Sequence, residues 1–288
     1  MPGIAPPVIT SGILRCRFNP SLRIMSNPVS AVRRYARAAA ACFAAAAFFV
    51  PSAARADELV VSAAASLTNA FRTMATAFEK THPKTQVVLN LGASDVLLQQ
   101  ILNGAPADVF ASADETAMDK AVEGKAVIPD TRRDFATNSL VMIVPSDSRL
   151  PVRSVREAMM LAQVKHVALG NPASVPAGRY AKAALEHEGA WDVVSGKAVL
   201  AGNVRESLDY VARGEAEAGF VFSTDAAMMP RAVKVAASVP TQTPVTYPIA
   251  LVHGSAHAAD AKAFADFVLS AQGQAILAKY GFMPPAQH

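Results

Sequence analysis

The stretch that most limits what this chain can become is 59–71. A short β-branched run, Leu59-Val60-Val61-Ser62, passes through three alanines into helical spacing. Apolar residues then recur at Leu67, Ala70, Phe71, Met74, Ala75 and Phe78, the period of a helix with one buried face. Ser66 stands at the switch as the N-cap candidate. A strand that turns straight into a helix leaves first-turn N–H groups unpaired at one point, and such a point attracts anions. The same switch recurs: a strand at 86–91 runs through Gly92-Ala93-Ser94-Asp95 into a helix, and one at 107–111 runs through Ser112-Ala113-Asp114 into another.

Beyond a strand at 140–144 the grammar restarts. A helix near 155–162 precedes a strand at 166–170, the turn Asn171-Pro172-Ala173-Ser174-Val175-Pro176-Ala177-Gly178, and a helix over 179–186. Gly202-Asn203-Val204 opens the next helix, 218–222 is a strand, and Ser223-Thr224-Asp225 is read as the cap of a helix directly after that strand. A late strand at 248–253 and one long helix over 260–280 complete the pattern. Alternating strands and amphipathic helices predict an α/β fold with largely parallel sheets, arranged as two similar halves.

Everything before Asp57 is of another kind. It holds seven arginines and no acidic residue, then an apolar run at 38–50, then Pro51 and Ala54-Arg55-Ala56. That order is a basic region, a hydrophobic region and an Ala-x-Ala site, so residues 1–56 are read as an export signal cleaved after Ala56. Met25 is a candidate true start, because 1–24 adds nothing to the signal. Thirteen mostly alanine residues are too few for a membrane span, which needs about 20. Cys42 lies inside the apolar run, which argues against a lipid anchor there.

Cleavage changes the charge. Of 27 Lys and Arg, seven lie before Asp57, leaving 20 against 23 Asp and Glu. The basic balance therefore belongs to the export signal, and nucleic-acid binding loses its support. Both cysteines, Cys16 and Cys42, also leave, so the exported chain is expected to hold together by its core alone. Enzyme signatures are lacking: Gly92-Ala93-Ser94-Asp95-Val96 is no nucleophile elbow, Gly124-Lys125-Ala126 no phosphate loop, and His187-Glu188 has Trp191 where a zinc motif needs its second histidine. His253 and His257 are separated by Gly254-Ser255, which breaks helicity, and are read as surface loop. Asp108 and Asp114 are read as turn and cap residues rather than an acid/base pair.

Several strings together resemble the periplasmic molybdate-binding proteins of ABC transporters. They are Ala63-Ala64-Ala65-Ser66-Leu67-Thr68-Asn69-Ala70, residues 104–114, Asn138-Ser139-Leu140-Val141, Gly170-Asn171-Pro172 with Val175-Pro176-Ala177-Gly178, and Tyr280-Gly281-Phe282. The resemblance implies a two-lobed type II periplasmic binding protein fold, each lobe a mainly parallel sheet flanked by helices. Lobe one would be 57–139 plus 246–288, and lobe two 140–245. It implies an exported, monomeric solute-binding protein that captures molybdate, and tungstate with it, for a membrane permease and its cytoplasmic ATPase. No catalysis and no cofactor are implied, and the metal would enter only as the oxyanion.

Carried over by motif, the molybdate-binding positions are Ser66 and Ser94 in lobe one and Ala177 and Val204 in lobe two. The family's fifth position is usually a tyrosine, and here it is Phe222, so that hydroxyl is missing. Ser223 or Thr224 beside it is the nearest hydroxyl that could replace it. Asp95, next to Ser94, is expected to point outward, since a carboxylate facing an anion repels it. Arg179 and Arg205 follow two of the sites closely and are read as surface or interlobe residues, with tuning of the local field as the other role. A site built only of donors suits a fully ionised oxyanion, whereas phosphate carries a proton that needs an acceptor. Two other readings stay open: a binding protein for another oxyanion or small anionic solute, and an exported serine hydrolase using Ser66 or Ser94.

Overall fold

The opening strand behaves as its composition requires. β1 (Asp57–Ala64) becomes buried from Val61 onward and ends in a 3-10 turn, Ala65–Leu67, that runs into α1 (Thr68–Thr81). Ala70, Phe71, Met74, Ala75 and Phe78, the residues picked out by spacing, are the buried face of α1. The computed structural model describes residues 57–285. The export signal, its cleavage after Ala56 and the start at Met25 lie outside the described residues.

The chain continues through β2 (Thr85–Gly92), α2 (Ser94–Leu102), β3 (Val109–Ala111), α3 (Glu115–Glu123) and β4 (Arg133–Asn138). One residue later β5 (Leu140–Pro145) begins a second sheet. That half holds α4 (Val155–Met160), β6 (Val167–Gly170), α5 (Pro176–His187), α6 (Trp191–Ser195), β7 (Ala198–Ala201), α7 (Val204–Ala212), β8 (Ala218–Phe222), α8 (Ser223–Ala226) and β9 (Val233–Val239). The return to the first sheet is β10 (Val245–Leu251), followed by α9 (Ala258–Leu269) and α10 (Ala271–Lys279). Two five-stranded sheets result, ordered β2-β1-β3-β10-β4 and β7-β6-β8-β5-β9. Helices flank both, which is the two-lobed α/β architecture.

In each sheet four strands run one way and one runs against them. The reversed strand is β10 in the first and β5 in the second, each pairing antiparallel with both neighbours. Both are the strand that has just arrived from the other lobe. The parallel strands β1, β3, β6 and β8 are buried and read as continuous apolar runs, as strands covered on both faces must.

A seam of aromatic rings joins the lobes. Phe71 packs on Phe135 at 5.9 Å between ring centroids, Phe135 on Tyr247 at 6.2 Å, and Tyr247 on Phe222 at 5.8 Å. All four are at most 1% exposed, and burying each ring contributes roughly 1.5–3 kcal/mol. The described residues belong to one compact unit, Ala54–His288. Among them no helix is long and apolar enough to cross a membrane.

Several details differ from the sequence reading. The expected long helix over 260–280 is two, α9 and α10, broken at Ser270, whose Oγ accepts from the Gly273 N–H at 3.2 Å. Gly273 lies so close to the carbonyls of Phe267 and Val268 that a side chain there would collide with them, which lets the chain turn back tightly. Strands β4, β7 and β9 were not anticipated: β4 and β9 are edge strands of mixed polarity without a continuous apolar run, and β7, though apolar, is only four residues long.

The start of α5 depends on two glycines. A Cβ on Gly178 would lie 1.9 Å from the Gly170 carbonyl oxygen, and one on Gly170 would lie 2.3 Å from Val175 Cγ1. Only without those atoms does the helix begin against the end of β6. Gly178→Ala should therefore lower stability by about 1–3 kcal/mol in urea unfolding. An unchanged midpoint would show that α5 can shift away from β6.

Candidate functional site

Six chain segments meet at one small cavity between the sheets. From lobe one come Ala64, Ala65 and Ser66 at the end of β1, Gly92, Ala93 and Ser94 at the end of β2, and Ala113. From lobe two come Val175, Pro176 and Ala177, then Asn203 and Val204, then Phe222. The four carried-over positions, Ser66, Ser94, Ala177 and Val204, thus line the same space. That space is about 10 Å³, measured by where the centre of a water-sized sphere can go. It admits a compact group of few atoms and excludes a sugar or an amino acid.

Neither serine is a cap. The N-cap positions of α1 and α2 are Leu67 and Ala93, and no side chain bonds the backbone at either. This corrects the reading of Ser66 as an N-cap. Ser66 lies inside the 3-10 turn at 2% exposure, and Ser94 is the first residue of α2 at 0%. Ser66 Oγ accepts from the Tyr247 hydroxyl at 3.1 Å, and Ser94 Oγ accepts from the Ala113 N–H at 3.1 Å. Each hydroxyl oxygen is therefore held by a donor, and its own proton stays available to the cavity.

Tyr247 is oriented in turn. It accepts from Asn138 Nδ2 at 3.2 Å, which commits its proton to Ser66. Asn138 is the last residue of β4, at the crossing between lobes, and its Nδ2 also lies 2.9 Å from Thr224 Oγ1. A hydrogen-bonded chain thus runs from the crossing point to the cavity wall. Burial raises the Tyr247 pKa well above its usual value, so the group remains a neutral donor.

Lobe two contributes backbone. Ala177 is the second residue of α5, after Pro176, whose missing N–H is no loss at a first helical position. Val204 is the first residue of α7, and Asn203 Oδ1 accepts from the N–H groups of Arg205 at 2.9 Å and Glu206 at 3.1 Å. Those two are satisfied by the cap, while Val204 lines the cavity. First-turn amides of α2, α5 and α7 and the turn before α1 surround the space with partial positive charge.

Phe222 is 1% exposed and forms an apolar wall against Tyr247 and Tyr180. Ser223 does not line the cavity: its Oγ donates to Asn138 Oδ1 at 2.9 Å. Thr224 is taken up by the same asparagine. Nor does Ser223-Thr224-Asp225 cap α8, whose N-cap is Phe222 with no side-chain bond. Asp95 does not line the cavity, as expected of a carboxylate beside an anion site, but it turns into a buried ion pair rather than into solvent. It is 8% exposed, with Oδ2 2.6 Å from Arg179 Nη2 and Oδ1 2.7 Å from Lys120 Nζ. Asp114 caps α3 through the Ala117 N–H at 3.0 Å, and Asp108 accepts from the Val60 N–H at 2.7 Å, so both do structural work.

Arg205 Nε lies 2.6 Å from Asp225 Oδ1, and its Nη2 donates to the Ser66 carbonyl at 3.2 Å. Both arginines are interlobe residues, and neither lines the cavity. Among the described residues no group of three or more His, Cys, Asp or Glu is disposed to hold a metal ion. Tyr247, Asn203 and Ala113 were missed by sequence reasoning. Ala113 acts through its backbone and carries no side-chain signal, while a buried tyrosine announces that it needs a partner without saying which.

The profile of the family described as bacterial extracellular solute-binding protein matches residues 59–283. The chain belongs to that family. This solute-binding protein is 42% identical over 246 residues to the molybdate-binding protein ModA of Escherichia coli (strain K12), covering 83% of this chain and 95% of that one. It is 34% identical over 229 residues to the molybdate-binding protein ModA of Haemophilus influenzae, covering 78% and 89%. Its fold superposes on the periplasmic molybdate-binding protein of Azotobacter vinelandii with a TM-score of 0.69 at 26% identity, covering 79% of this chain and 100% of that one.

Asp225 gives this solute-binding protein a measurable acid signature. Burial pushes its carboxyl up to about 6, against the pull of Arg205. The native state then holds a proton that the unfolded chain has already lost, so this group makes stability fall as pH rises from about 4 to about 6. Relative to Asp225→Asn, the wild type should lose thermal stability across that window and run parallel to it above. Parallel profiles at every pH would contradict the raised value.

Proposed function

We propose that this protein captures molybdate between its two lobes, and tungstate with it, and delivers the anion to an ABC transporter permease driven by a cytoplasmic ATPase. In this reading it acts in the periplasm as a monomer, after cleavage following Ala56. Ser66, Ser94 and the amides at Ala177 and Val204 bind the anion, and Phe222 closes the cavity without touching it by a polar atom. The observation that carries the reading is the pair of buried, cavity-lining serines whose hydroxyl oxygens accept from Tyr247 and Ala113, which leaves their own protons free to be donated. The names of the relatives support the choice of anion.

The chemistry favours an oxyanion with no proton of its own. Every group this reading assigns to the anion is a donor, and the Asn203 Oδ1 beside them is already taken by two amides, so hydrogen phosphate would leave its proton without an acceptor. Helix N-termini supply the positive field in place of a cation, which lets an ion enter and leave without breaking a salt bridge to it. The hydrolase reading is not favoured. A serine nucleophile needs a base to take its proton. Both oxygens here instead accept from donors, and among the described residues no histidine lines the cavity.

Titration calorimetry with molybdate, tungstate, sulfate and phosphate tests this directly. Molybdate and tungstate should bind with Kd below about 1 μM, and sulfate and phosphate about 100-fold more weakly or less. Sulfate binding tighter than molybdate, or no binding of any of the four, rejects it. Ser66→Ala and Ser94→Ala each remove one hydrogen bond to a charged group and should weaken molybdate about 10- to 100-fold. Unchanged affinity would take those hydroxyls out of the site.

A further inference from the structure

The cavity has two acids built into its frame. Asp95 follows Ser94 directly, and Asp114 follows Ala113, whose N–H holds the Ser94 hydroxyl. Their side chains are only 11% and 4% exposed. Burial raises the Asp114 pKa, Arg179 pulls it back down, and the nearby Asp95 adds to the rise, so the two carboxylates act on each other. Two buried negative charges behind Ser94 are an unfavourable setting for a dianion.

Arg179 answers both. It is the fourth residue of α5 and belongs to lobe two, yet its guanidinium lies between the lobe-one acids, with Nη2 2.6 Å from Asp95 Oδ2 and Nε 2.7 Å from Asp114 Oδ2. Lys120, from lobe one, takes the other Asp95 oxygen at 2.7 Å. The two acids and two bases sum to zero, but only with the lobes together. Arg179 is itself 20% exposed and is held charged by its acidic partners in spite of burial.

Resting on the reading of the cavity as an oxyanion site, we propose that Arg179 is an interlobe positioning residue that couples closure to retention of the anion. Closing brings in the charge that cancels Asp95 and Asp114. Opening withdraws it with lobe two, restores the repulsion behind Ser94 and expels the ion. The pocket thus keeps a dianion through a charge that never touches it, and the same movement that exposes the ion also drives it out.

The test compares wild type, Arg179→Gln, and Arg179→Gln combined with Asp95→Asn and Asp114→Asn. Dissociation of radiolabelled molybdate is followed with time, and small-angle scattering is recorded without anion. Arg179→Gln should weaken molybdate about 100-fold, mainly through faster dissociation. The triple variant should return to within about tenfold of wild type, because no charge is left to cancel. A bracing role for Arg179 predicts no such recovery, and that result overturns the proposal. Scattering does not depend on which anion binds, and Arg179→Gln should enlarge the anion-free radius of gyration. An unchanged radius together with an unchanged dissociation rate also overturns it. A wild type that binds no molybdate, while Arg179→Gln still opens, instead rejects the molybdate reading and leaves the interlobe contact standing.

Discussion

A helix cannot pair its first amides with itself, and the molecule is arranged around that deficit. Three helices and a 3-10 turn begin at one cavity, so unpaired N–H groups that would each carry a cost on their own become a shared resource. The small residues of the junctions follow from this. Ala64, Ala65, Ala93, Ala113 and Ala177 let backbone reach the cavity, where a larger side chain would fill it. Gly178 and Gly170 serve the same end by letting α5 start against β6.

Around this neutral site the charges are kept one layer out. Arg205 is spent on the fully buried Asp225 and the Ser66 carbonyl, Arg179 on Asp95 and Asp114. Each arginine starts in a lobe-two helix that lines the cavity and ends on lobe one. The Arg179 ion pairs therefore hold the lobes together at one flank, while Arg205, paired with Asp225 inside lobe two, reaches lobe one only at the Ser66 carbonyl. Ser66 is also fixed by an uncharged route, through Tyr247 and Asn138 at the crossing of the chain.

Much of this was legible in the residues, for identifiable reasons. The apolar face of α1 follows from periodicity, and the buried strands around 59–62 and 218–222 from short apolar runs, because burial there is nearly complete. The strand-to-helix switches marked the cavity because unpaired amides are a property of local structure. What stayed hidden was set by tertiary contacts. Ser66 looked like a cap, yet its partner is Tyr247, 181 positions away. Asp95 was expected only to turn away from the anion; that it does so onto Arg179, 84 positions on, could not be read locally. Strands β4 and β9 are edges, where one neighbour and a wet face leave little pattern to read.

The exchange of strands between sheets also orders events in time. The first sheet cannot close over its fourth position until β10 arrives, and β4 joins that sheet through β10, with its other side bridged at Thr137 to the still later Met283. A ribosome lays down β1 to β4 and then the whole second sheet before it reaches Val245. Throughout that interval the amino-terminal lobe is an incomplete surface with an open edge, and its closure depends on contacts of long sequence separation, which form slowly. The chain is thus kept from locking into its final shape until nearly all of it exists, a delay written into the strand order itself.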